Sequence, residues 1–320
     1  MEIKAETLDD LLMKTLQILL EKGQNIKASR GENIEQISVN LELENPLSRI
    51  SRSYRKTFLF SALGEFLWYM SGSNDLSQIS YYIPIYEEES EDGLTLSGAY
   101  GPRLFQFDSQ INQIENVIKI LQEKSSSRRA VVQLINPLDL HNNLKDIPCT
   151  CNIQYLIRDN KLHSITYMRS NDAYKGLPHD FFCFTMLQEY IAARLNVELG
   201  TYFHHVGSLH LYNCDRYKAN QYIDEGFQST TDIMPLMDSV QIDNNLTSLL
   251  NNEKSYRRGK LDETVKIEST YWSDLSLLLE AYMHYKNNDI ENLKSIKQKL
   301  SSEFYYSYID LKIDSISESD

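Results

Sequence analysis

The side chains most able to do chemistry are a thiol, a guanidinium and two carboxyl groups set in unusual surroundings. Cys149 follows a proline in DIPCTC, where a thiol can be an inert buried side chain, a metal ligand or a nucleophile. Arg169 lies near the end of the segment KLHSITYMRS, whose strand pattern brings it back beside Cys149 if it pairs with CNIQYLI as a hairpin. A guanidinium there favours the thiolate and can also hold a phosphate bidentately. Glu65 lies inside FLFSALGEFLWYMSG, so apolar a run that an ionised carboxylate must be paired or put to use. Asp180 directly precedes the apolar run FFCF and is well placed to cap a helix there. Zinc is a rival for Cys149 and Cys151, but CTC with His141 nearby lacks the spacing of the usual structural sites, and no metal is expected.

Periodicity supplies the elements that must position these groups. Residues 8–23 carry apolar side chains at helical spacing and end on a glycine, and residues 58–72 form a second, more apolar helix of the same kind. RAVVQLI (129–135), CNIQYLI (151–157) and KLHSITYMRS (161–170) read as strands, the last two joined by Asp159-Asn160. Residues 180–195 then form a buried central helix. From Val265 the pattern gives two helices split at 286–289, capped by Ser273 and Asp289, and residues 305–320 read as a strand or loop with a frayed tail. The expected organisation is a catalytic domain over 1–264 with a helical extension over 265–320 packed on it.

Composition bounds what such a chain can do. Its 320 residues suit one large α/β domain with additions, and 32 Lys plus Arg against 45 Asp plus Glu give a formal charge of -13. That balance lacks the basic footprint of a nucleic-acid binder, so an anionic partner needs a local cluster of arginines. There is no secretory leader and no long apolar span, so a soluble cytoplasmic protein is expected, with its cysteines (Cys149, Cys151, Cys183, Cys214) left reduced.

DIPCTCNIQY, YMRSNDAYKGLPHD and GSLHLYNCDRY, preceded in order by SRG, GEFLWYMSG, GAYGPRLF and SSRRAVVQLINP, resemble the motifs of the thymidylate synthase superfamily. The resemblance covers about Leu8 to Tyr217. It implies an α/β (α+β) fold in which a mixed or antiparallel sheet packs against helices. It also implies that Cys149 adds to C6 of a pyrimidine nucleoside monophosphate, making C5 nucleophilic toward the one-carbon unit of 5,10-methylenetetrahydrofolate. By the same resemblance Glu65 orders water and relays protons around the ring. Arg30, Arg169 and Ser170 match phosphate ligands, and Arg128 and Arg129 match arginines supplied by the other subunit, which implies an obligate homodimer. His210 and Tyr212 match residues that bond the sugar hydroxyl; Asp172, Gly176 and Tyr86 match the folate side. Surface arginines, a core aromatic and a satisfied histidine would leave similar traces.

The departures from the family pattern bear on substrate and product. Synthases place asparagine where this chain has Asp180; its amide suits uracil, whereas a protonated carboxyl suits cytosine, as in the deoxycytidylate hydroxymethylase branch. Tyr86 stands where synthases carry tryptophan, Thr150 where they carry histidine, and SISESD where they carry an apolar tail. The first and last of these favour water over hydride as the final acceptor. The expected activity is dCMP hydroxymethylation, with dUMP methylation, CMP hydroxymethylation or silent nucleotide binding as the alternatives. Retention of Ser170 favours the deoxy sugar over the ribonucleotide.

Overall fold

The computed structural model describes every residue except Ser29, residues 55–57, Asn143 and residues 319–320. Ser29 of the SRG motif and the last two residues of SISESD therefore lie outside the described residues. Among the described residues a seven-stranded sheet runs in the order β1 (Glu2–Ala5), β3 (Gly31–Leu43), β7 (Glu198–Tyr212), β6 (Lys161–Asp172), β5 (Thr150–Arg158), β4 (Val131–Gln133), with β2 (Gln24–Ala28) paired to β3. It is mixed: β1 with β3 and β6 with β7 are parallel, and the remaining pairs are antiparallel. The β5–β6 hairpin turns on Asp159 and Asn160, whose φ values of 49° and 59° are the left-handed pair that a two-residue turn requires.

Helices cover one side of this sheet. α1 (Leu8–Lys22), α2 (Leu59–Met70) and the short α3 (Leu76–Ser80), α4 (Tyr100–Phe105), α5 (Gln113–Glu123) and α6 (Pro137–His141) precede the central α7 (Gly176–Leu195). α8 (Arg216–Glu225), α9 (Ile242–Arg257), α10 (Thr270–Lys286), α11 (Ile290–Lys299) and α12 (Tyr306–Ser317) follow. α7 buries residues on every side because it lies between the sheet and α2. Gly64 lets α2 sit tightly against Tyr82, since a Cβ there would stand 2.3 Å from the Tyr82 ring.

Several local expectations are corrected. α7 begins at Gly176 with Lys175 at its N-cap, so Asp180 lies in the second turn and caps nothing. The turn ahead of the helix is instead closed by Asp172, whose Oδ1 accepts from the Tyr174 and Lys175 amides at 2.8 and 3.1 Å. Ser269, not Ser273, stands at the N-cap of α10, whereas Asp289 does cap α11 by accepting from the Asn292 amide. Residues 306–317 are helical rather than strand or loop, because Tyr308, Ile309 and Ile316 fall on one buried face. The strand expected over 129–135 shortens to Val131–Gln133. Gly23 ends α1 in an extended conformation, and only Gly72, after α2, takes the left-handed φ of 68°.

α10 and α12 rest on the elements that carry the site, and α11 packs on both of them. Tyr271 of α10 reaches Met186 of α7, and Tyr308 of α12 donates to the Ser51 carbonyl. Lys312 of α12 stands 5.6 Å above the Phe60 ring of α2. Below them a buried Arg49–Glu189 pair at 2.7 Å ties the chain ahead of α2 to α7.

Candidate active site

Strand pairing assembles the site. The Arg169 amide donates to the Cys149 carbonyl at 2.8 Å where β5 begins, which places the two residues side by side as the hairpin reading required. The Arg169 side chain then bonds the Pro148 and Ile147 carbonyls at 3.1 and 2.9 Å, pinning the loop that presents the thiol. Parallel pairing of β6 with β7 puts Ser170 beside Ser208 and Asp172 beside His210. His210 and Tyr212 meet edge to face at 5.0 Å. The Tyr212 phenol is raised by burial and feels the charges of Asp172, Arg30 and Cys149, so both belong to the same end of the sheet.

The thiol environment is mixed. Burial raises Cys149 above its ordinary value; Arg169 and Arg30 pull it down, while Asp180 and Asp146 push it further up. Arg169 acts in the expected direction, but burial outweighs it in the free protein. Arg30 is exposed and bonded to Glu89 at 2.5 Å. Arg128 and Arg129 stand exposed ahead of β4, and among the described residues neither forms an ion pair. The Arg128 carbonyl accepts from Gln154 at 2.9 Å, holding that segment on the sheet edge.

Neither carboxyl group is exposed: Glu65 is buried and Asp180 half-buried. Glu65 is 5 % exposed on α2, as the apolar run around it requires. Its Oε1 accepts from the Tyr86 and Tyr69 phenols at 2.7 and 3.1 Å, yet burial still raises it. Asp180 is raised well above the usual carboxylate range, first by burial and then by the neighbouring Glu65 charge, against the hydrogen bond from Asn171. Burial and the Glu65 charge therefore both favour the neutral acid over the carboxylate at Asp180. Gly176 faces it closely: a Cβ there would stand 3.2 Å from Asn171 Oδ1 and 3.7 Å from Asp180 Oδ2.

Sequence reasoning passed over residues that complete the site. Tyr100, inside the quoted GAYGPRLF, accepts from the Thr150 amide at 3.1 Å and feels the charges of both Cys149 and Asp180. Arg103 of the same motif makes a two-pronged bond to Asp139 at 2.7 and 2.8 Å, a structural role. Asn171 and His204 were also missed, since only the pairing of β6 with β7 brings them together. Among the described residues no group of three His, Cys, Asp or Glu side chains is placed to hold a metal.

A half-buried thiol next to an arginine, with a buried and a half-buried carboxyl group and several tyrosines nearby, is the equipment of a transferase that works through a covalent adduct. A family model described as thymidylate synthase matches residues 13–292, and the chain belongs to the thymidylate synthase family, as a one-carbon transferase. The match extends well past Tyr217, where the visible motifs end. The chain is 28% identical over 293 residues to a deoxyuridylate hydroxymethyltransferase of Bacillus phage SP01, covering 86% of this chain and 75% of that protein. It is 29% identical over 197 residues to a deoxyuridylate hydroxymethyltransferase of Delftia phage PhiW-14, spanning 54% of that protein and 57% of this chain. A thymidylate synthase of Buchnera aphidicola subsp. Baizongia pistaciae is 30% identical over 216 residues, 62% of this chain and 79% of its own length.

Proposed function

We propose that the protein transfers a one-carbon unit from 5,10-methylenetetrahydrofolate to C5 of dCMP and adds water, giving 5-hydroxymethyl-dCMP and tetrahydrofolate. The observation that carries this reading is the Asp180 carboxyl, half-buried near Glu65 in the body of a helix where it has no amide to cap and where its surroundings favour the protonated form. Cytosine N3 is a basic acceptor and its 4-amino group a donor. A neutral carboxyl can donate to the first and accept from the second, and passing its proton to N3 would turn the contact into a charge-assisted pair. Uracil N3 already carries a hydrogen, so uracil cannot take that proton and form the charge-assisted pair.

The remaining residues fit the same chemistry. Bound methylenetetrahydrofolate supplies a carbon at the methylene level of oxidation. Tyr86 packs 5.6 Å from Trp68 and reaches Glu65, so a flat aromatic surface lies next to the carboxyl, where a pterin ring can stack. Cys149 Sγ bonds to C6, which lets C5 form the new carbon–carbon bond; loss of the C5 proton then breaks the bond between the transferred carbon and the carrier nitrogen, and tetrahydrofolate departs. Water adds to the resulting exocyclic methylene, and the thiolate leaves C6. Protonation of N3 by Asp180 makes C6 more electrophilic, and Glu65 orders water and moves protons on the folate side. A phenol at 86 in place of indole admits water more readily.

Arg30, Arg169 and Ser170 bind the phosphate, joined by Arg128 and Arg129 of a second copy in an obligate homodimer; His210 and Tyr212 hold the sugar, and Asp172 and Gly176 the pterin. Residues 1–264 form the catalytic domain and 265–320 its helical extension. A second reading, hydroxymethylation of dUMP, is favoured by the names of the phage relatives. Incubation with methylenetetrahydrofolate and dCMP, CMP or dUMP in turn, with product masses, decides the matter. Mass gain of one CH2O on dCMP is expected. The same gain on dUMP alone supports the second reading, and dTMP with dihydrofolate would sink both.

A further inference from the structure

A neutral carboxyl is an ambiguous reader. Proton on one oxygen, it presents donor then acceptor; proton on the other, the order reverses and the opposite pyrimidine fits equally well. Something must fix the proton if Asp180 is to choose.

Asn171 is 4 % exposed at the end of β6, and its Nδ2 lies 3.1 Å from Asp180 Oδ2, 3.0 Å from His204 Nε2 and 3.0 Å from Met168 Sδ. All three partners can accept, and the thioether can only accept, so the amide nitrogen rather than its oxygen faces this cluster. Its two N–H bonds serve the stronger acceptors, Asp180 and His204. His204 Nε2 therefore carries no proton, Nδ1 does, and that N–H points at the Tyr202 oxygen 2.8 Å away. His204 and Tyr202 are both fully buried, and burial drives His204 down to about 3, so the ring stays neutral. Phe181, next to Asp180 in the chain, packs on both rings at 4.9 and 5.0 Å and holds them in place.

We propose that the buried relay Tyr202–His204–Asn171 is a specificity device: it keeps Asp180 Oδ2 an acceptor, seats the proton on Oδ1, and so commits the acid to one pyrimidine. The logic is that an N–H bonds a carbonyl oxygen better than a carboxylic hydroxyl oxygen. In this arrangement Oδ1–H meets cytosine N3 and Oδ2 meets the 4-amino group. Asn171, His204 and Tyr202 are positioning residues, since they act through Asp180. This assignment rests on the dCMP reading above for its direction, but not for the existence of the bias.

The test is the ratio of kcat/KM for dCMP to that for dUMP, both with methylenetetrahydrofolate, because a merely structural defect lowers both and leaves the ratio alone. Asn171→Ala is expected to lower the ratio about tenfold, the worth of one hydrogen bond between neutral groups in a dry site. Tyr202→Phe, which unfixes the His204 tautomer, lowers it about threefold by the same reasoning on a more distant bond. His204→Gln keeps an acceptor facing Asn171 and holds the ratio, whereas His204→Phe does not. If Asn171→Ala fails to fold, Tyr202→Phe and the two His204 variants decide. Parallel loss on both substrates, or a ratio unmoved in every folded variant, overturns the relay. Should the wild-type protein prefer dUMP, the dCMP reading falls by itself; the relay then stands if Asn171→Ala moves the ratio toward unity and falls if it does not.

Discussion

Replacing Asp180 with asparagine preserves shape and hydrogen-bonding capacity but removes the transferable proton. Burial and the Glu65 charge favour keeping that proton on the wild-type carboxyl. If it activates cytosine through N3, its loss removes a general acid, an effect of about 10²–10⁴-fold on turnover. The variant should therefore lose about that factor in kcat for dCMP, while KM moves less because an amide can still bond the ring. Turnover of dUMP never used the proton and should hold or rise, so preference shifts toward uracil. A second readout comes from stability. The folded-state pKa of Asp180 lies above its unfolded value near 3.9. Below that unfolded value both states hold the proton and there is no penalty. As pH rises toward the folded pKa, only the unfolded chain ionises, and the fold loses stability. Asparagine does not titrate, so Asp180→Asn should melt above wild type at pH 7, with the difference shrinking as pH falls toward 5. Steady-state kinetics with product mass analysis and calorimetry at the two pH values read both effects. Unchanged dCMP turnover, together with a melting difference independent of pH, would refute the view of Asp180 as a neutral acid reading the base.

Other expectations follow from the same geometry. Cys149→Ala should retain nucleotide binding by calorimetric titration while losing turnover, because the arginines and the thiol have separate tasks. Cys149 alkylation by iodoacetamide should be slow at neutral pH and accelerate as pH rises past the ordinary thiol range, since burial raises it. Arg49→Met leaves Glu189 buried without its partner and should cost about 3–5 kcal/mol in chemical denaturation. Glu65→Gln should lower kcat by about 10²–10⁴-fold with little change in nucleotide binding measured directly.

The sequence carried the site more fully than it carried the boundaries around it. Cys149 and Arg169 could be paired from two strand patterns and a turn, because a hairpin imposes its register locally. Glu65 was legible from the apolar run around it. The start of α7 was not: Gly176 and Pro178 read as loop residues, and Asp180 ahead of FFCF imitates a cap. Only the structure shows that Asp172 closes that turn several residues earlier. The last helix was hidden because its tyrosines and acidic residues alternate too irregularly to outweigh a frayed reading, and its burial depends on the Ser51 segment, far away in sequence. The Asn171–His204 contact was equally out of reach, since it exists only through the parallel pairing of β6 with β7.

The Tyr69 and Tyr86 phenols converge on one oxygen of Glu65, and among the described residues none donates to the other. A glutamine placed there would not be a blank. Its carbonyl would be drawn onto the two hydroxyls, leaving the amide NH2 pointing where Oε2 had been. The substitution thus reverses the polarity of the working edge, setting a permanent donor where the native group can alternate, and any activity left in Glu65→Gln would report on steps that tolerate a fixed donor there.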